Sequence, residues 1–310
     1  MTVNCNRHYA TDREGPLAAL PSDWPYKASS HFMSIGRLRW HLQIHPSTKA
    51  SALTLMLLHG TGSSSHSWSD LIEPLTRVAC VVTIDLPGHG FTTGAQTQDL
   101  TLPAMARDLH QLLLAIDTRG DVAMIGHSAG APLAIEWALA HAQEPALPFR
   151  LTGILGLNPS LVPPPSLYTL LLGPMVAPIA TSGPVTGLLA FIAANTKMVD
   201  QLLDSTASRI PEHHRRHYRY LFTQPNHVQG AMGFMAGADL PSILTRGRQL
   251  TVPIRFLIGA QDSWVKEEPL TRVIRESFPG STTTTWPGGH LLHEERPEAV
   301  ANWITNALNV

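Results

Sequence analysis

One pentapeptide in the chain has the residue types and spacing of a nucleophile motif. Ser128 lies in the sequence GHSAG (residues 126–130), between a strand-like apolar run and a run that can form a helix. Small flanking residues are typical of a serine on a tight strand-to-helix turn, because larger side chains would clash there. A serine hydroxyl becomes a good nucleophile only when a base takes its proton. The sequence therefore predicts Ser128 as the nucleophile of a covalent mechanism.

Two later residues complete a serine–acid–histidine order along the chain. His290 lies in PGGH (287–290), after the last predicted strand, and is the predicted base. Asp262 follows the strand at 254–258 and is the predicted acid that orients the imidazole. Asp239 is a rival acid, but it precedes Leu240 and Pro241 at the start of a helix and suits an N-cap better.

Glycine-rich turns after two other strands predict the remaining parts of the site. His-Gly-Thr-Gly (59–62) ends the strand 53–58, so an amide of Thr61 or Gly62, with the amide of Ala129, is expected to bind an oxyanion. The sequence leaves open which of the first two amides is used. His127 and, more weakly, His89 in DLPGHG (85–90) are candidates for contacting substrate.

Strand and helix patterns alternate through most of the chain, and this predicts an α/β fold with a doubly wound, mainly parallel sheet. The first two strands are expected to form an antiparallel hairpin. Predicted strands lie at 31–35, 37–45, 53–60, 79–90, 121–130, 151–159, 252–262 and 281–286. Helices are expected at 66–77, 99–117, 130–142, 267–277 and 297–308.

The alternation stops between about 160 and 240, where we predict an inserted helical cap. The predicted organisation is a surface tail at 1–30, a core at 31–160 and 241–310, and a cap at 161–240. No Asp, Glu, Lys or Arg occurs between residues 151 and 196. Leu171 and Phe191 in this stretch are predicted to line an apolar substrate pocket. A membrane span is disfavoured by repeated Pro and Gly, whereas contact with a membrane surface and ordinary packing of the cap both stay open.

Composition excludes several classes of function. The chain has 310 residues and a net charge of −1, so no overall field recruits nucleic acid. Its N-terminus lacks the apolar segment of a signal peptide, which favours a cytoplasmic location. The two cysteines, Cys5 and Cys80, do not suggest a disulfide framework, and no cofactor is expected. The histidine-rich run 212–217 is interpreted as a solvated helix face rather than a metal site, because no carboxylate follows at i+4.

These motifs together resemble the α/β-hydrolase superfamily over residues 31–310. More narrowly, the chain is similar to the hydrolase-fold magnesium chelatase accessory proteins of bacteriochlorophyll biosynthesis, the BchO family. That resemblance is carried by Asp23-Trp24-Pro25 and by the segments GRLRWH (36–41), HGTGSSSHSW (59–68), DLPGHGFT (85–92), GHSAGAPLAI (126–135), LNPSLVP (157–163) and HEERPEAV (293–300). It implies a place beside magnesium insertion into a porphyrin in photosynthesis, and a contact with the chelatase.

Two functions follow from these observations. The motifs favour a serine-dependent hydrolase of an ester, or less readily of an amide or a carbon–carbon bond, in an apolar substrate. The resemblance favours a porphyrin-binding accessory protein whose triad is idle or vestigial. Dehalogenases and epoxide hydrolases normally carry aspartate where this chain has Ser128. No phosphate-loop motif GxxxxGK[ST] is present, so the chain is not the nucleotide-hydrolysing motor of magnesium insertion.

Overall fold

The computed structural model describes residues 17–49, 51–142, 144, 146–163 and 177–310. Its centre is an eight-stranded sheet in the order β1-β2-β4-β3-β5-β6-β7-β8. The strands are β1 (Ser30–Ile35), β2 (Leu38–His45), β3 (Leu53–Leu58), β4 (Cys80–Ile84), β5 (Gly120–His127), β6 (Phe149–Leu157), β7 (Ile254–Gly259) and β8 (Thr282–Trp286).

Strand direction follows the predicted pattern. β1 and β2 form an antiparallel hairpin through a turn at Gly36, and β2 pairs antiparallel with β4. Every other pairing is parallel. Parallel neighbours require crossover connections, and these are the helices that cover the sheet. The expected α/β fold with a mostly parallel sheet and an antiparallel first hairpin is therefore confirmed.

Helices cover both faces of the sheet, so the central strands are buried on both sides. The helices are α1 (Ser69–Thr76), α2 (Leu102–Ala115), α3 (Gly130–His141), α4 (Ala177–Ala180), α5 (Gly183–Asn195), α6 (Met198–Asp204), α7 (Glu212–Phe222), α8 (Pro225–Gly237), α9 (Leu240–Arg246), α10 (Glu267–Ser277), α11 (Leu292–Glu295) and α12 (Pro297–Leu308). Short 3-10 turns span Lys27–Ser29, Ser65–Trp68, Thr97–Asp99 and Gly247–Gln249.

Alternate side chains of β3 show how this layering works. Met56 and Leu58 pack with the cluster that includes α2 and α3, whereas Leu55 and Leu57 pack with α1 and α12. Successive side chains of a strand point to opposite faces. A strand covered on both sides must therefore be apolar at every position, as residues 53–58 nearly are.

Helices α4 to α9 lie between β6 and β7 in the chain, in the region where a cap was predicted. The limits 161–240 of that cap remain a prediction, and residues 164–176 within it lie outside the described residues. Among the described residues, no helix combines the length and apolar composition that crossing a bilayer requires.

The N-terminal segment is packed into the molecule more deeply than a surface tail. Residues 1–16 lie outside the described residues, but Leu20 and Trp24 are each only 3% exposed. Trp24 makes an edge contact with Phe91 at 4.9 Å between ring centroids, and another with His217 at 5.1 Å. The interpretation of residues 17–30 as a surface tail is therefore wrong, because two apolar anchors bury this segment against the cap.

The expectation for the cysteines also needs correction. Cys80, the first residue of β4, is disulfide-bonded, whereas the sequence suggested no disulfide framework. Cys5 lies outside the described residues.

We predict that Trp24→Ala lowers the free energy of unfolding by about 3 kcal/mol, since it empties a buried aromatic site. Ser22→Ala, at an exposed position two residues earlier, should change it by less than about 0.5 kcal/mol. Chemical denaturation measures both values. Equal, small effects would show that the N-terminal segment contributes nothing to the fold.

Candidate active site

Ser128 lies on a strained backbone turn that is stabilised by close packing of the neighbouring segments. It follows β5 directly and has φ = 49°, in the left-handed region that residues other than glycine seldom adopt. A Cβ atom on Gly126 would lie 2.4 Å from the amide of Ala131, and one on Gly130 would lie 2.2 Å from the carbonyl oxygen of Leu58. The two flanking glycines are thus required by space, and the turn projects Ser128 beyond the end of the sheet.

His290 joins Ser128 to Asp262 in a continuous chain of hydrogen bonds. Its Nε2 is 2.9 Å from Ser128 Oγ, and its Nδ1 is 2.7 Å from Asp262 Oδ2. A carboxylate can only accept, so Nδ1 carries the proton and Nε2 is free to accept from the serine hydroxyl. The structure therefore brings together the three residues that the sequence predicted. His290 lies between Ser128, whose proton it can take, and Asp262, which orients its ring.

Asp262 is held ionised by its surroundings. Burial raises its pKa, but the nearby His290 and a set of hydrogen bonds outweigh burial and lower it below the usual range. The amides of Trp264 and Val265 donate to Oδ1, and Asn158 Nδ2 donates to Oδ2 at 2.8 Å. With both oxygens fixed, the carboxylate can orient the imidazole.

Asn158 and Trp264 are parts of the site that the sequence analysis missed. Asn158 follows β6 with φ = 44° and also donates to the carbonyl of Gly289 at 3.3 Å. The Trp264 ring stacks on His290 with an interplanar angle of 22°. The only signal for Asn158 was its place at the carboxyl end of a parallel strand, where polar side chains collect at one edge.

The predicted oxyanion loop lies beside the serine. A Cβ atom on Gly60 would lie 2.9 Å from Ser128 Cβ, so the loop approaches the turn as closely as a glycine allows. His227 Nε2 donates to the carbonyl of Gly62 and fixes that peptide. Within the described residues, the amides of Thr61, Gly62 and Ala129 donate to no protein acceptor, so each stays a candidate donor to a developing oxyanion.

Buried Asp85 supports the same loop from behind. Its Oδ1 accepts from the amide of Ser65, and its Oδ2 accepts from the amide of Phe91 and contacts His41 Nδ1 at 2.7 Å. Burial alone would raise its pKa, but His41, His59 and the backbone donors lower it overall. The carboxylate thus joins β2, the turn after β4 and the oxyanion loop.

The two histidine candidates differ in position. His127 lies beside the cavity, and its Nε2 donates to the carbonyl of His290 at 2.9 Å. Burial, reinforced by His290, lowers the pKa of His127 to about 3. The ring is therefore uncharged, and its hydrogen bond helps to hold the backbone of His290 in place. His89 is fully buried, donates from Nδ1 to the carbonyl of Pro87 and does not line the cavity. Its candidacy for contacting substrate is therefore wrong.

Asp239, the rival acid, caps α9 by accepting from the amide of Ser242 at 3.3 Å. No contact joins it to His290 among the described residues. Its geometry is that of the N-cap that the sequence suggested.

An apolar cavity of about 350 Å³ opens over Ser128. Among the described residues none of its lining side chains is an Asp, Glu, Lys or Arg; the apolar ones include Leu102, Pro132, Leu202, Phe234, Met235 and Trp264. A cavity of this size is at the small end of the usual range for ligand pockets. An apolar group is therefore favoured next to the serine.

Of the two cap residues predicted for the pocket, only Phe191 lies among the described residues. Phe191 is 66% exposed on α5 and does not line the cavity, so that prediction is wrong. Leu171 lies outside the described residues. Helical periodicity could not be read in this uncharged stretch, because apolar residues occur on every side of α5 and mark no inward face.

The histidine-rich run on α7 is also placed differently from its interpretation. His214 is fully buried and His217 is 5% exposed, whereas His213 is half exposed. His214 lies between Asp70 and Glu294, carboxylates supplied by other segments. Burial lowers the pKa of His214, but these two carboxylates together raise it to about 9. The solvated-face interpretation is wrong, because the carboxylate partners lie far away in sequence.

Comparison with known proteins shows which family the chain belongs to. The model of the alpha/beta hydrolase family matches residues 55–303. The chain belongs to that family. The match spans the oxyanion loop, the serine turn and the histidine loop.

Individual proteins are similar to this chain in sequence or in structure. The chain is 29% identical to the magnesium-chelatase 30 kDa subunit of Rhodobacter capsulatus over 94% of its own length and 98% of that protein. It is 38% identical to protein phosphatase methylesterase 1 of Mus musculus, over only 28% of this chain and 24% of that one. A hydrolase from Pseudomonas aeruginosa PA01 superposes with a TM-score of 0.69 at 20% identity, covering 91% of this chain and 98% of the other.

We predict that Gly130→Ala destabilises the fold by several kcal/mol, because its Cβ would overlap the β3 backbone. Gly187→Ala is the matched control. No atom lies within 4 Å of its new Cβ, and alanine in a helix interior should raise the free energy of unfolding by about 0.5–1 kcal/mol. Thermal melts distinguish the two, and a neutral Gly130→Ala would refute the close packing of the turn.

Proposed function

We propose that this protein is a serine-dependent hydrolase that cleaves an ester in an apolar substrate. The observation that carries the proposal is the chain of contacts from Ser128 through His290 to Asp262, at the base of a cavity whose described lining includes no Asp, Glu, Lys or Arg. Membership of the alpha/beta hydrolase family supports hydrolysis in general. The bond and the substrate are inferred from the site.

The proposed reaction uses each group once in each half of the cycle. Ser128 Oγ attacks the ester carbonyl while His290 Nε2 takes its proton, and Asp262 stabilises the imidazolium. The carbonyl oxygen becomes an oxyanion bound by the amide of Ala129 and one from Thr61 or Gly62. His290 then protonates the leaving alcohol, and a water attacks the acyl-enzyme by the same route.

The lining of the cavity supports an apolar substrate on energetic grounds. A charged group there would lose its hydration without gaining an ionic partner, which is costly. An apolar group instead gains about 25 cal/mol for each Å² removed from water. The acyl or alcohol part next to the scissile bond should therefore be hydrophobic.

The relation to a magnesium-chelatase subunit supports a second candidate, a porphyrin-binding accessory protein. In this proposal the cavity holds part of an apolar macrocycle and the serine is idle in the biological role. The same relation supports a contact with magnesium chelatase and a place in bacteriochlorophyll biosynthesis. Peripheral membrane association is proposed from three exposed apolar side chains of α4 and α5: Ile179, Leu188 and Phe191.

Ser128→Ala should lower hydrolysis of short p-nitrophenyl esters by several orders of magnitude, because among the described residues Ser128 alone brings a hydroxyl to His290 Nε2. Ser160→Ala is the control, since Ser160 lines the same cavity without that contact. Steady-state kinetics with matched thermal melts decide the result. Equal activity in wild type and Ser128→Ala would remove the serine from the mechanism.

Asp262→Asn should lower kcat by about 10³–10⁴-fold with a small effect on stability, because the imidazole loses the acceptor that fixes its tautomer. Asp239→Ala should leave kcat unchanged and lower the free energy of unfolding by about 1 kcal/mol, as a lost N-cap does. A large loss of kcat in Asp239→Ala with an unchanged kcat in Asp262→Asn would instead identify Asp239 as the acid.

The carrier candidate predicts that protoporphyrin quenches tryptophan fluorescence at micromolar concentration, since Trp264 borders the cavity. Leu202→Asn, within the cavity, should weaken binding, whereas Leu188→Asn on the exposed face of α5 should not. Absence of quenching in the wild type would contradict porphyrin binding while leaving the ester hydrolase untouched.

A further inference from the structure

A second cluster of polar groups lies behind the oxyanion loop, away from the serine. His66 in the turn Ser65–Trp68, His214 on α7 and Glu294 on α11 come together from three distant parts of the chain. Each side chain is 1% exposed or less. One nitrogen or oxygen atom of each residue lies within 4.8 Å of such an atom in each of the other two residues.

Within the described part of the chain, one polar atom of each residue has no hydrogen-bond partner. These atoms are His66 Nε2, His214 Nδ1 and Glu294 Oε2, and all three are buried. The Nδ1 of His214 is 3.0 Å from Oε2 of Glu294, a salt-bridge contact, and a proton shared between these two atoms would still leave His66 Nε2 without a partner. Buried polar atoms without partners are costly, and the three residues offer ligand atoms close to one another, so the cluster points to a common partner.

The opposite end of each side chain is already held. His214 Nε2 is 2.9 Å from Asp70 Oδ2, His66 Nδ1 is 2.7 Å from Ser64 Oγ, and Glu294 Oε1 accepts from Tyr218 at 2.7 Å. When His214 carries a single proton, donation by its Nε2 to a carboxylate leaves a lone pair on Nδ1, and donation by His66 Nδ1 leaves one on Nε2. This is the outer arrangement that orients metal-binding histidines in proteins.

We infer that His66, His214 and Glu294 form a binding site for a divalent transition-metal ion of the zinc class. Two histidines and one glutamate are an established zinc ligand set. Tetrahedral geometry with bonds of 2.0–2.2 Å separates ligand atoms by about 3.3 Å, close to the His214–Glu294 spacing. A water would complete the coordination.

Charge balance favours the ion over a proton. Without an ion, the two carboxylates of Glu294 and Asp70 share the positive charge of protonated His214, and one negative charge remains. A divalent ion that replaces this proton neutralises both carboxylates. A proton on His214 Nδ1 neutralises one charge and leaves His66 Nε2 without a partner. The ion satisfies all three atoms at once.

The site would join the loop before α1 to the cap. Tyr218 contacts Glu294 and also Ser63, which borders the cavity beside the oxyanion loop. A bound ion would therefore fix α7, α11 and the oxyanion loop in one unit without touching substrate.

Zinc binding by the full chain tests this inference. Chelator-treated wild-type protein, incubated with zinc and freed of excess metal by gel filtration, should retain one zinc per chain by elemental mass spectrometry. His66→Gln and Glu294→Gln should each retain none, whereas His213→Gln, beside His214 on α7 but half exposed, should bind as the wild type does. Cobalt in place of zinc should give the visible absorption of a tetrahedral ion in the wild type and in His213→Gln only.

Asp70→Asn keeps all three ligands and removes a partly exposed residue, so it guards against loss of fold in the ligand variants. It should weaken zinc binding about 10–100-fold. Wild-type protein that retains no zinc would overturn the inference. Loss of zinc in His213→Gln with full retention in His66→Gln and Glu294→Gln would overturn it too, since the ligands would then be the surface group Asp70, His213 and His214.

Discussion

The left-handed backbone at Ser128 is the constraint on which the candidate site depends. Alone, such a conformation at a non-glycine residue costs of order 1–3 kcal/mol and persists only where its surroundings fix it. Here the fixing comes from β3 and the start of α3, which approach within distances that only Gly126 and Gly130 permit. The turn then sets where the hydroxyl can meet an imidazole, and the positions of the oxyanion loop and the histidine loop follow from it.

A second layer of buried, neutral histidines holds the loops around that turn. Burial lowers the pKa of His59 and of His227 to about 4, and that of His127 to about 3, so each ring is uncharged at neutral pH. His59 accepts from the amide of Leu86, His227 joins Gly90 to Gly62, and His127 donates to His290. These rings connect loops that follow different strands. Apolar packing alone would not fix the positions of these loops relative to one another.

Local sequence was sufficient to predict the sheet and the proximity of Ser128, Asp262 and His290. Strand ends, glycine turns and chain order place Ser128, Asp262 and His290 at one edge of a parallel sheet, since the carboxyl ends of its strands meet there. Asn158 was missed because a lone asparagine after a strand has no distinctive pattern. His214 was misread because its carboxylates, Asp70 and Glu294, are far from it in the chain.

The remaining errors have the same origin in tertiary packing. Trp24 looked like part of a tail because nothing near it in sequence is periodic, yet it packs on Phe91 and His217. Phe191 looked like a pocket residue because α5 is apolar on all sides, which leaves its inward face undefined by sequence. Contacts between segments remote along the chain decide both positions.

Covalent labelling tests the central claim most directly: Ser128 is a nucleophile activated by His290. A fluorophosphonate probe, followed by digestion and mass spectrometry, should place one phosphonyl group per chain on the peptide that contains Ser128. His290→Ala should slow the labelling by orders of magnitude while the protein stays folded. Labelling of another serine at the same rate, or no labelling of folded wild-type protein, would contradict the account.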